Sequence, residues 1–213
     1  LDATGYITAR RIATVSAKVT GKVREVRIEE GQRVEEGEVL ATLDDAEAQA
    51  ALALVQAQYE SARARLDEIR TNAANARREY ERQRSLDARK LTSASALDAA
   101  RTLVEALDGR LRAQEREVDV ARETVDSAQV QLDNTIVRAP FSGVITVKAA
   151  QPGEMISPIS AGGGSIRTGI GTVVDMDSLE IQVDVNEAYI NRVQPGQPVE
   201  AVLNAYPEWK IPA

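Results

Sequence analysis

The sequence predicts an α+β protein in which a long antiparallel helical hairpin separates two halves of a small β unit and further β strands follow. Two observations support this prediction. Apolar residues recur at steps of three and four throughout residues 46–135, which is typical of paired α-helices. The segments before and after the hairpin share one apolar and glycine pattern at equal spacing, which indicates an internal repeat.

The segment before the hairpin reads as short β strands. β-branched residues within residues 5–15 favour extended structure, and glycines interrupt the alternating runs of residues 17–43 at turn positions. We treat residues 1–14 as a separate first strand and residues 15–44 as the first half of the repeat. Because the chain begins at Leu1 rather than at Met, we interpret it as an internal fragment with room for a membrane anchor upstream.

Two long apolar seams predict the hairpin. The seam of the first arm comprises Leu52, Val55, Tyr59, Ala62, Leu66, Ile69, Ala73, Ala76 and Tyr80. The seam of the second arm comprises Leu97, Ala100, Val104, Leu107, Leu111, Gln114, Val118, Ala121, Val125, Ala128 and Leu132. Such seams with charged residues between them are typical of a coiled coil. Each arm would reach roughly 60 to 70 Å, since a helix rises 1.5 Å per residue.

The segment Lys-Leu-Thr-Ser-Ala-Ser at residues 90–95 separates the two arms. Ser and Thr compete for backbone hydrogen bonds and therefore favour turns and helix caps. Neither arm contains Pro, and Gly109 is the only Gly in them. Since a short connection makes neighbouring helices antiparallel, we take residues 45–135 as one hairpin with its turn near residues 91–95.

The second half of the repeat follows at residues 136–172. Residues 139–145 match residues 17–23 in the pattern A-x-x-x-G-x-[VI]. In both halves the next glycine lies ten residues after the first, as Gly21 with Gly31 and Gly143 with Gly153. Two similar halves around a hairpin suggest a pseudo-symmetric β-sandwich.

The remaining residues predict a loop and more strands. The glycine-rich residues 157–165 carry no phosphate-binding motif and read as a loop. Residues 179–185 alternate between apolar and polar types, which predicts a half-buried strand. We expect a short helix at residues 186–193, a strand at residues 199–203 and a turn at residues 206–209.

Composition excludes several classes of function. The 213 residues include 26 Lys and Arg against 33 Asp and Glu, for a net charge of −7, whereas nucleic-acid-binding proteins need a basic surface. The sequence has no His and no Cys, which removes the usual ligands of zinc and the usual thiol chemistry. We therefore expect no nucleic acid, no metal and no cofactor.

The two β halves resemble the biotinyl-lipoyl domain, whose halves meet in a tight hairpin that bears a modified Lys. The corresponding position follows Leu43, where this sequence has Asp44 and Asp45 before the predicted helix. Its lysines all lie elsewhere, at Lys18, Lys22, Lys90, Lys148 and Lys210. A lipoyl or biotinyl carrier is therefore the weaker interpretation of this domain.

The complete order of elements resembles the periplasmic adaptor subunits, or membrane fusion proteins, of tripartite efflux pumps. The resemblance covers essentially the whole chain. The motifs that carry it are Ala-Pro-Phe-Ser-Gly at residues 139–143, Val-Asp-Met-Asp-Ser-Leu at 174–179, Asp-Val-Asn-Glu-Ala at 184–188 and Pro-Gly-Gln at 195–197. It implies that residues 1–14 and 173–213 form part of a β-barrel domain and that the β halves are lipoyl-like.

The resemblance is most specific at the predicted hairpin turn. Adaptors that dock on TolC-type outer-membrane channels carry an Arg, a Leu four residues later and a Ser seven residues after that. Arg82, Leu86 and Ser93 have this spacing, and Asp98 also fits the family pattern as a supporting residue. We expect Leu86 to lie off the seam, free to insert between partner helices, and Arg82 to pair with a carboxylate or a helix C-terminus.

The family resemblance implies a non-catalytic function in the periplasm. The adaptor would be anchored at the inner membrane through a segment absent from this chain. It would form a homo-oligomer, commonly a hexamer in the family, and join a TolC-type channel to an ATP-binding-cassette transporter (MacB-like) or a proton-driven one. Some relatives place a Gln in a loop that faces the conduit, where this sequence offers Glu154 as the candidate residue.

Two other classes compete with this interpretation. The coiled coil could serve as a structural scaffold on a β platform, which residue types alone do not exclude. An enzyme is the weakest alternative, because the close carboxylate pairs, Asp44 with Asp45 and Asp175 with Asp177, lie at element ends where Asp favours turns and caps.

Overall fold

A computed structural model describes residues 4–158, 166–167, 169–185, 191, 193–203 and 206–212. The elements run in the order β1 (Thr4–Ala9), β2 (Ile12–Val15), β3 (Gly21–Val26), β4 (Arg33–Val34), β5 (Val39–Leu43), α1 (Ala46–Asp87), α2 (Ala94–Asp133), β6 (Ile136–Arg138), β7 (Gly143–Lys148), β8 (Met155–Ile156), β9 (Ile166–Arg167), β10 (Gly171–Val174), β11 (Leu179–Asp184), β12 (Glu200–Leu203) and β13 (Tyr206–Pro212). The chain divides into two compact units, residues 43–136 and residues 1–42 with 137–213.

The compact unit of residues 1–42 and 137–213, called the β unit below, contains two sheets that combine strands from both halves of the repeat. One sheet has the order β2-β10-β7-β4, and the other has the order β6-β5-β3-β8-β9. The predicted repeat explains this mixing. Gly21 pairs with Ile156, while Val34 pairs with Gly143, so each half lends a short strand to the sheet of the other.

The backbone hydrogen bonds show the same exchange between the halves. The amide of Gly31 donates to the carbonyl of Ile145 at 2.8 Å, and the equivalent amide of Gly153 donates to the carbonyl of Val23 at 2.8 Å. The strands of each half therefore depend on the other half for part of their backbone hydrogen bonds. A half on its own would leave these backbone groups without partners, which is rare in proteins. The pseudo-symmetry expected from the sequence is thus a reciprocal strand exchange.

One turn type recurs between the strands of this unit. At Gly153 the backbone has φ 91°, the Glu154 amide donates to the Gln151 carbonyl at 3.2 Å, and the Glu154 carboxylate accepts the Gln151 amide at 3.0 Å. This is a type II turn, in which glycine supplies the positive φ at the third position. The turns at Gly31, Gly37 and Gly196 repeat both hydrogen bonds with Gln32, Glu38 and Gln197.

The core of the β unit lies between the two mixed sheets. Its members come from strands of both halves and from the segments that join them, and each is at most 1% exposed: Val23, Ile28, Val34, Leu40, Ile145, Ile156, Ile170 and Val173. Gly171 is part of the same packing, since a Cβ there would lie 2.7 Å from the Val147 carbonyl oxygen. The close approach of β10 to β7 therefore requires a residue without a side chain.

The other described strands form two separate pairs, β1 with β11 and β12 with β13. The predicted strand at residues 179–185 is confirmed as β11, but its apolar residues are largely exposed rather than half-buried. The prediction of a turn at residues 206–209 is wrong, because these residues begin β13, which pairs antiparallel with β12. Most residues of the expected helix at 186–193 lie outside the described part of the chain. The same is true of the glycine-rich loop at 157–165.

β2 belongs to the mixed sheet rather than to the pair formed by β1. Ile12 and Val15 pair with Val174 and Gly171 of β10, whereas Ala9 pairs with Leu179 of β11. Residues 12–14, which we assigned with the first strand, therefore lie in the sandwich.

Helices α1 and α2 form the predicted antiparallel hairpin. Nested contacts show the direction: the Arg77 guanidinium lies 2.7 Å from the Asp108 carboxylate, and the Gln114 side chain donates to the Ala62 carbonyl at 3.4 Å. Every predicted seam position of both arms is buried or half-buried. The most deeply buried members of α1 are Leu52, Ala62, Ala73 and Ala76, so small side chains dominate the closest approach of the helices.

Candidate functional site at the hairpin tip

The end of α1 closes through a pair of hydrogen bonds that bend the chain sharply. The Leu91 amide donates to the Leu86 carbonyl at 2.9 Å, and the Lys90 amide donates to the Asp87 carbonyl at 2.8 Å. Bonds across five and three residues define the Schellman motif, whose bending residue adopts a left-handed conformation and is usually Gly. Here that residue is Lys90, with φ 59°. Among the described residues, Lys90 is the only non-glycine residue with a positive φ.

The start of α2 is capped by Ser93. This residue has extended backbone angles, and its hydroxyl accepts the Ala96 amide at 3.2 Å. A Ser at this position satisfies one of the amides that the first helical turn leaves unpaired. Thr92 ties the turn to α1, since its hydroxyl donates to the Gln83 side-chain oxygen at 2.8 Å. The turn thus occupies residues 88–93, slightly before the predicted residues 91–95.

Arg82 lies on the exposed side of α1 about two turns before the bend at Lys90. Its guanidinium forms an ion pair with Glu79 three residues earlier, and its side chain is 69% exposed. Exposed ion pairs of this type contribute little to stability. Arg82 therefore keeps its capacity to exchange Glu79 for an acceptor on a partner.

The structure corrects one expectation about Leu86. We expected this side chain to lie off the seam, but Leu86 is half-buried, as is Gln83. After Tyr80 half-buried positions of α1 recur every three residues, at Gln83 and Leu86. Leu86 therefore exposes only part of its surface to solvent.

Asp98 lies in the second turn of α2 and is exposed. Its backbone carbonyl accepts the Thr102 hydroxyl at 2.9 Å. The neighbouring Arg101 donates to the Glu105 carboxylate at 3.0 Å, and this hydrogen bond, with the charge of Glu105, raises the pKa of Arg101. The first turns of α2 therefore carry charges of both signs.

Sequence reasoning missed the most exposed large apolar residue of the tip. Leu91 is 69% exposed, the largest value among the large apolar side chains in the described ranges. Leu91 directly follows the left-handed Lys90. Because a left-handed bend usually contains Gly, nothing in the sequence indicated a bend at this position. The single Leu directly before Thr92 and Ser93 was the feature of the sequence that could have indicated an exposed apolar residue in the turn.

Glu154 lies in the other compact unit and not at the tip. Its carboxylate closes the turn at Gly153 by accepting the Gln151 amide at 3.0 Å, and its residue is half-buried. The carboxylate therefore has a structural task in this turn.

The position where a carrier would hold its Lys is used to begin α1. The Asp44 carboxylate accepts the Ala46 amide at 3.2 Å, and the Asp45 carboxylate accepts the Gln49 side-chain amide at 2.7 Å. Both acids lie at the positive end of the helix dipole, where negative charge is stabilising. Both carboxylates therefore stabilise the first turn of α1.

No group of three or more acidic residues is arranged among the described residues to hold a metal ion. No described helix has the length and hydropathy needed to cross a membrane. A groove beside the tip, lined by Asn75, Arg78, Arg82, Leu103 and Leu107 among others, is open to solvent.

Comparison with known proteins identifies the family. Residues 11–161 match the model of the CzcB-like, barrel-sandwich hybrid domain, which covers the first half of the repeat, the hairpin and most of the second half. The chain belongs to the membrane fusion, or periplasmic adaptor, proteins. The members of this family are adaptors rather than enzymes, in agreement with the prediction of a non-catalytic chain.

Curated relatives support this membership. Multidrug resistance protein MdtA from Cronobacter turicensis is 36% identical over 157 residues, which are 74% of this chain and 34% of the relative. MdtA from Escherichia fergusonii is 32% identical over 197 residues, which are 92% of this chain and 43% of the relative. The chain therefore spans less than half the length of these membrane fusion proteins.

Solved structures confirm the fold. MacA from Actinobacillus actinomycetemcomitans superposes with a TM-score of 0.82 at 24% identity, over 94% of this chain and 60% of that one. The membrane fusion protein Spr0693 from Streptococcus pneumoniae superposes with a TM-score of 0.73 at 20% identity, over 97% of this chain and 80% of that one. The predicted hairpin inserted in a lipoyl-like sandwich is therefore the adaptor fold.

Proposed function

We propose that this protein links an inner-membrane transporter to a TolC-type outer-membrane channel for efflux or secretion, with the hairpin tip as the docking surface. The observation that supports this proposal is the tip itself, where Arg82 and part of Leu86 remain accessible beside a turn held by Ser93. The names of the MdtA relatives, which are multidrug resistance proteins, support export of small toxic compounds.

The stem of the hairpin would set the distance over which the adaptor acts. Helix α1 has 42 residues, which corresponds to about 60 Å of length. A pair of close-packed helices resists bending, so that the stem would hold the tip at a fixed distance from the base of the hairpin. In this proposal the stem supplies reach and the residues of the tip supply the specificity for the channel.

The tip residues would bind the channel by electrostatic and apolar contacts rather than by chemistry. Arg82 can exchange its exposed partner Glu79 for a carboxylate or for the carbonyl groups at a helix C-terminus of the channel. The exposed part of Leu86 would lie between partner helices. Ser93 would hold the turn in shape through its helix cap, and Asp98 would support the first turns of α2.

The rest of the assembly follows the family resemblance. We propose a periplasmic location with an inner-membrane anchor outside these 213 residues, a hexamer of copies around a conduit, and a transporter driven by ATP (MacB-like) or by protons. Glu154 remains our candidate residue of the conduit loop, and its hydrogen bond to Gln151 would keep that loop in one conformation.

Arg82→Ala in the full-length protein tests the docking surface. We expect this variant to lose the pull-down of the TolC-type channel of the same bacterium and to lose efflux, while helix content by circular dichroism stays unchanged. The loss follows because the guanidinium is exposed and its ion pair with Glu79 is worth little to the fold. Leu86→Asp should abolish both activities as well, with some loss of hairpin stability because Leu86 is half-buried.

Arg63→Ala is the matched control, since Arg63 forms the same exposed ion pair across three residues with Glu60 in the stem. It should retain channel binding and efflux. If Arg82→Ala captured the channel and restored efflux as well as the wild type, the tip would not be the docking surface, and the structural scaffold would become the better interpretation.

A further inference from the structure

The bend at the end of α1 places two leucines in a defined relation. In a Schellman motif, the residue after the left-handed position frequently packs on the helical residue five positions earlier. These residues are Leu91 and Leu86, joined by the hydrogen bond from the Leu91 amide to the Leu86 carbonyl at 2.9 Å. Leu86 is half-buried, yet Leu91 is 69% exposed. The backbone of Leu91 is therefore fixed while its side chain stays in water.

A fixed backbone lowers the cost of binding through Leu91. Association loses free energy whenever a flexible segment must be ordered at the interface. The turn around Leu91 is already held by the cap of Ser93 and by the hydrogen bond between Thr92 and Gln83. Burial of the Leu91 side chain on a partner would therefore gain apolar contact without ordering the backbone first.

The charges around Leu91 favour a partner with acidic or carbonyl groups. Arg89 and Lys90 precede Leu91 directly, and no ion pair joins either of them to an acid in the described ranges. The nearest acid in sequence, Asp87, provides one negative charge against these two positive ones. An apolar pocket with carboxylates or helix C-terminal carbonyls at its rim would complement this surface.

We propose that Leu91 is the principal apolar anchor of the hairpin tip, that it inserts between the helical ends of a TolC-type channel, and that Leu86 acts as the positioning residue beneath it. Arg89 and Lys90 form the positive rim of the contact. This inference rests on the proposed docking function and adds to it a residue outside the spacing of Arg82, Leu86 and Ser93.

Equilibrium binding of the full-length protein to the purified TolC-type channel of the same bacterium tests this inference. We expect Leu91→Gln to weaken binding by about tenfold or more, as loss of a central apolar anchor does, with unchanged helix content. Leu54→Gln is the matched control, because Leu54 is a similarly exposed leucine, at 61%, in the stem. It should bind within about twofold of the wild type, the range expected of an exposed residue outside the contact.

A cross-linking experiment locates the contact independently of affinity. The 213 residues contain no Cys, so Leu91→Cys and Leu54→Cys each place one thiol in this chain for a photoactivatable label. The label at position 91 should cross-link to the channel, and the label at position 54 should not. The double variant Arg89→Gln with Lys90→Gln should bind more slowly and with less dependence on salt.

The outcomes separate the inference from the proposed function. If the wild type binds and Leu91→Gln binds equally well, while Leu86→Gln loses binding, then Leu86 is the anchor and the inference about Leu91 is wrong, although docking at the tip stands. If the wild type does not bind the channel at all, the proposed function fails and the inference fails with it.

Discussion

The stem and the tip of the hairpin are stabilised by different interactions. In the stem, small residues such as Ala73 and Ala76 are buried between the helices and leave no space for larger side chains. In the tip, hydrogen bonds around Lys90 and Ser93 hold the turn, and a large apolar residue, Leu91, remains exposed. The comparison teaches that side-chain packing stabilises the stem, whereas backbone and cap hydrogen bonds shape the tip that we propose as the docking surface.

The largest effect on stability is expected in the stem. Ala73 is 1% exposed, so Ala73→Leu should lower the free energy of unfolding by about 1 to 3 kcal/mol through overpacking. Urea unfolding followed by circular dichroism of the helices measures this loss. Ala74→Leu is the control, because Ala74 is exposed and its substitution should change stability by no more than about 0.5 kcal/mol. Equal effects at both positions would contradict close packing at Ala73.

A smaller effect is expected at the cap of α2. Ser93→Ala should lower the free energy of unfolding by about 1 kcal/mol, because the Ala96 amide loses its acceptor. Ser93→Asp keeps a side-chain acceptor and should retain the stability of the wild type.

The same pair of variants distinguishes two functions of Ser93. If Ser93 acts on the channel only through the shape of the turn, Ser93→Asp should bind the channel as the wild type does and Ser93→Ala should bind less tightly. Loss of binding by Ser93→Asp with full stability would instead assign a direct contact to the hydroxyl.

The smallest effect is expected at Lys90. A left-handed conformation is unfavourable for a residue with a Cβ, and Lys90 has φ 59°. Lys90→Gly should therefore raise the free energy of unfolding by about 0.5 to 1 kcal/mol, after the entropy that glycine adds to the unfolded chain is subtracted. Lys90→Ala, which retains the strain, is the control for the lost charge and should leave stability nearly unchanged. Urea unfolding followed by circular dichroism measures both variants.

The sequence predicts the stem well because its information is local. Each seam residue repeats every three or four positions, and each of these positions is buried or half-buried in the structure. The repeat across Gly21 and Gly143 was equally visible, since both glycines occupy the same place in one pattern. That these glycines pair with Ile156 and Val34 of the opposite half required the structure, because strand pairing across a long insertion leaves no local periodicity.

The tip was only partly predictable. The spacing of Arg82, Leu86 and Ser93 placed them at the turn, and α1 and α2 do end and begin beside them. The half-burial of Leu86 and the exposure of Leu91 depend on a bend at Lys90, where the residue type usual for a left-handed bend is missing. Their function as channel contacts stays a prediction, as do the function of Asp98, the function of Glu154 and the domain boundaries other than the one at residues 12–14.

The reciprocal strand exchange has a consequence for the order of folding. The sandwich cannot pair β3 with β8 or β4 with β7 until both halves are present, and the hairpin lies between them in the chain. Helical hairpins form from local contacts and fold early, whereas distant strand pairings form slowly because a long loop must close first. Once α1 and α2 associate, the amide of Leu43 and the carbonyl of Thr135 meet at 2.8 Å. We therefore expect the hairpin to shorten the effective loop, so that the element proposed for docking would also bring the two halves of the sandwich together during folding.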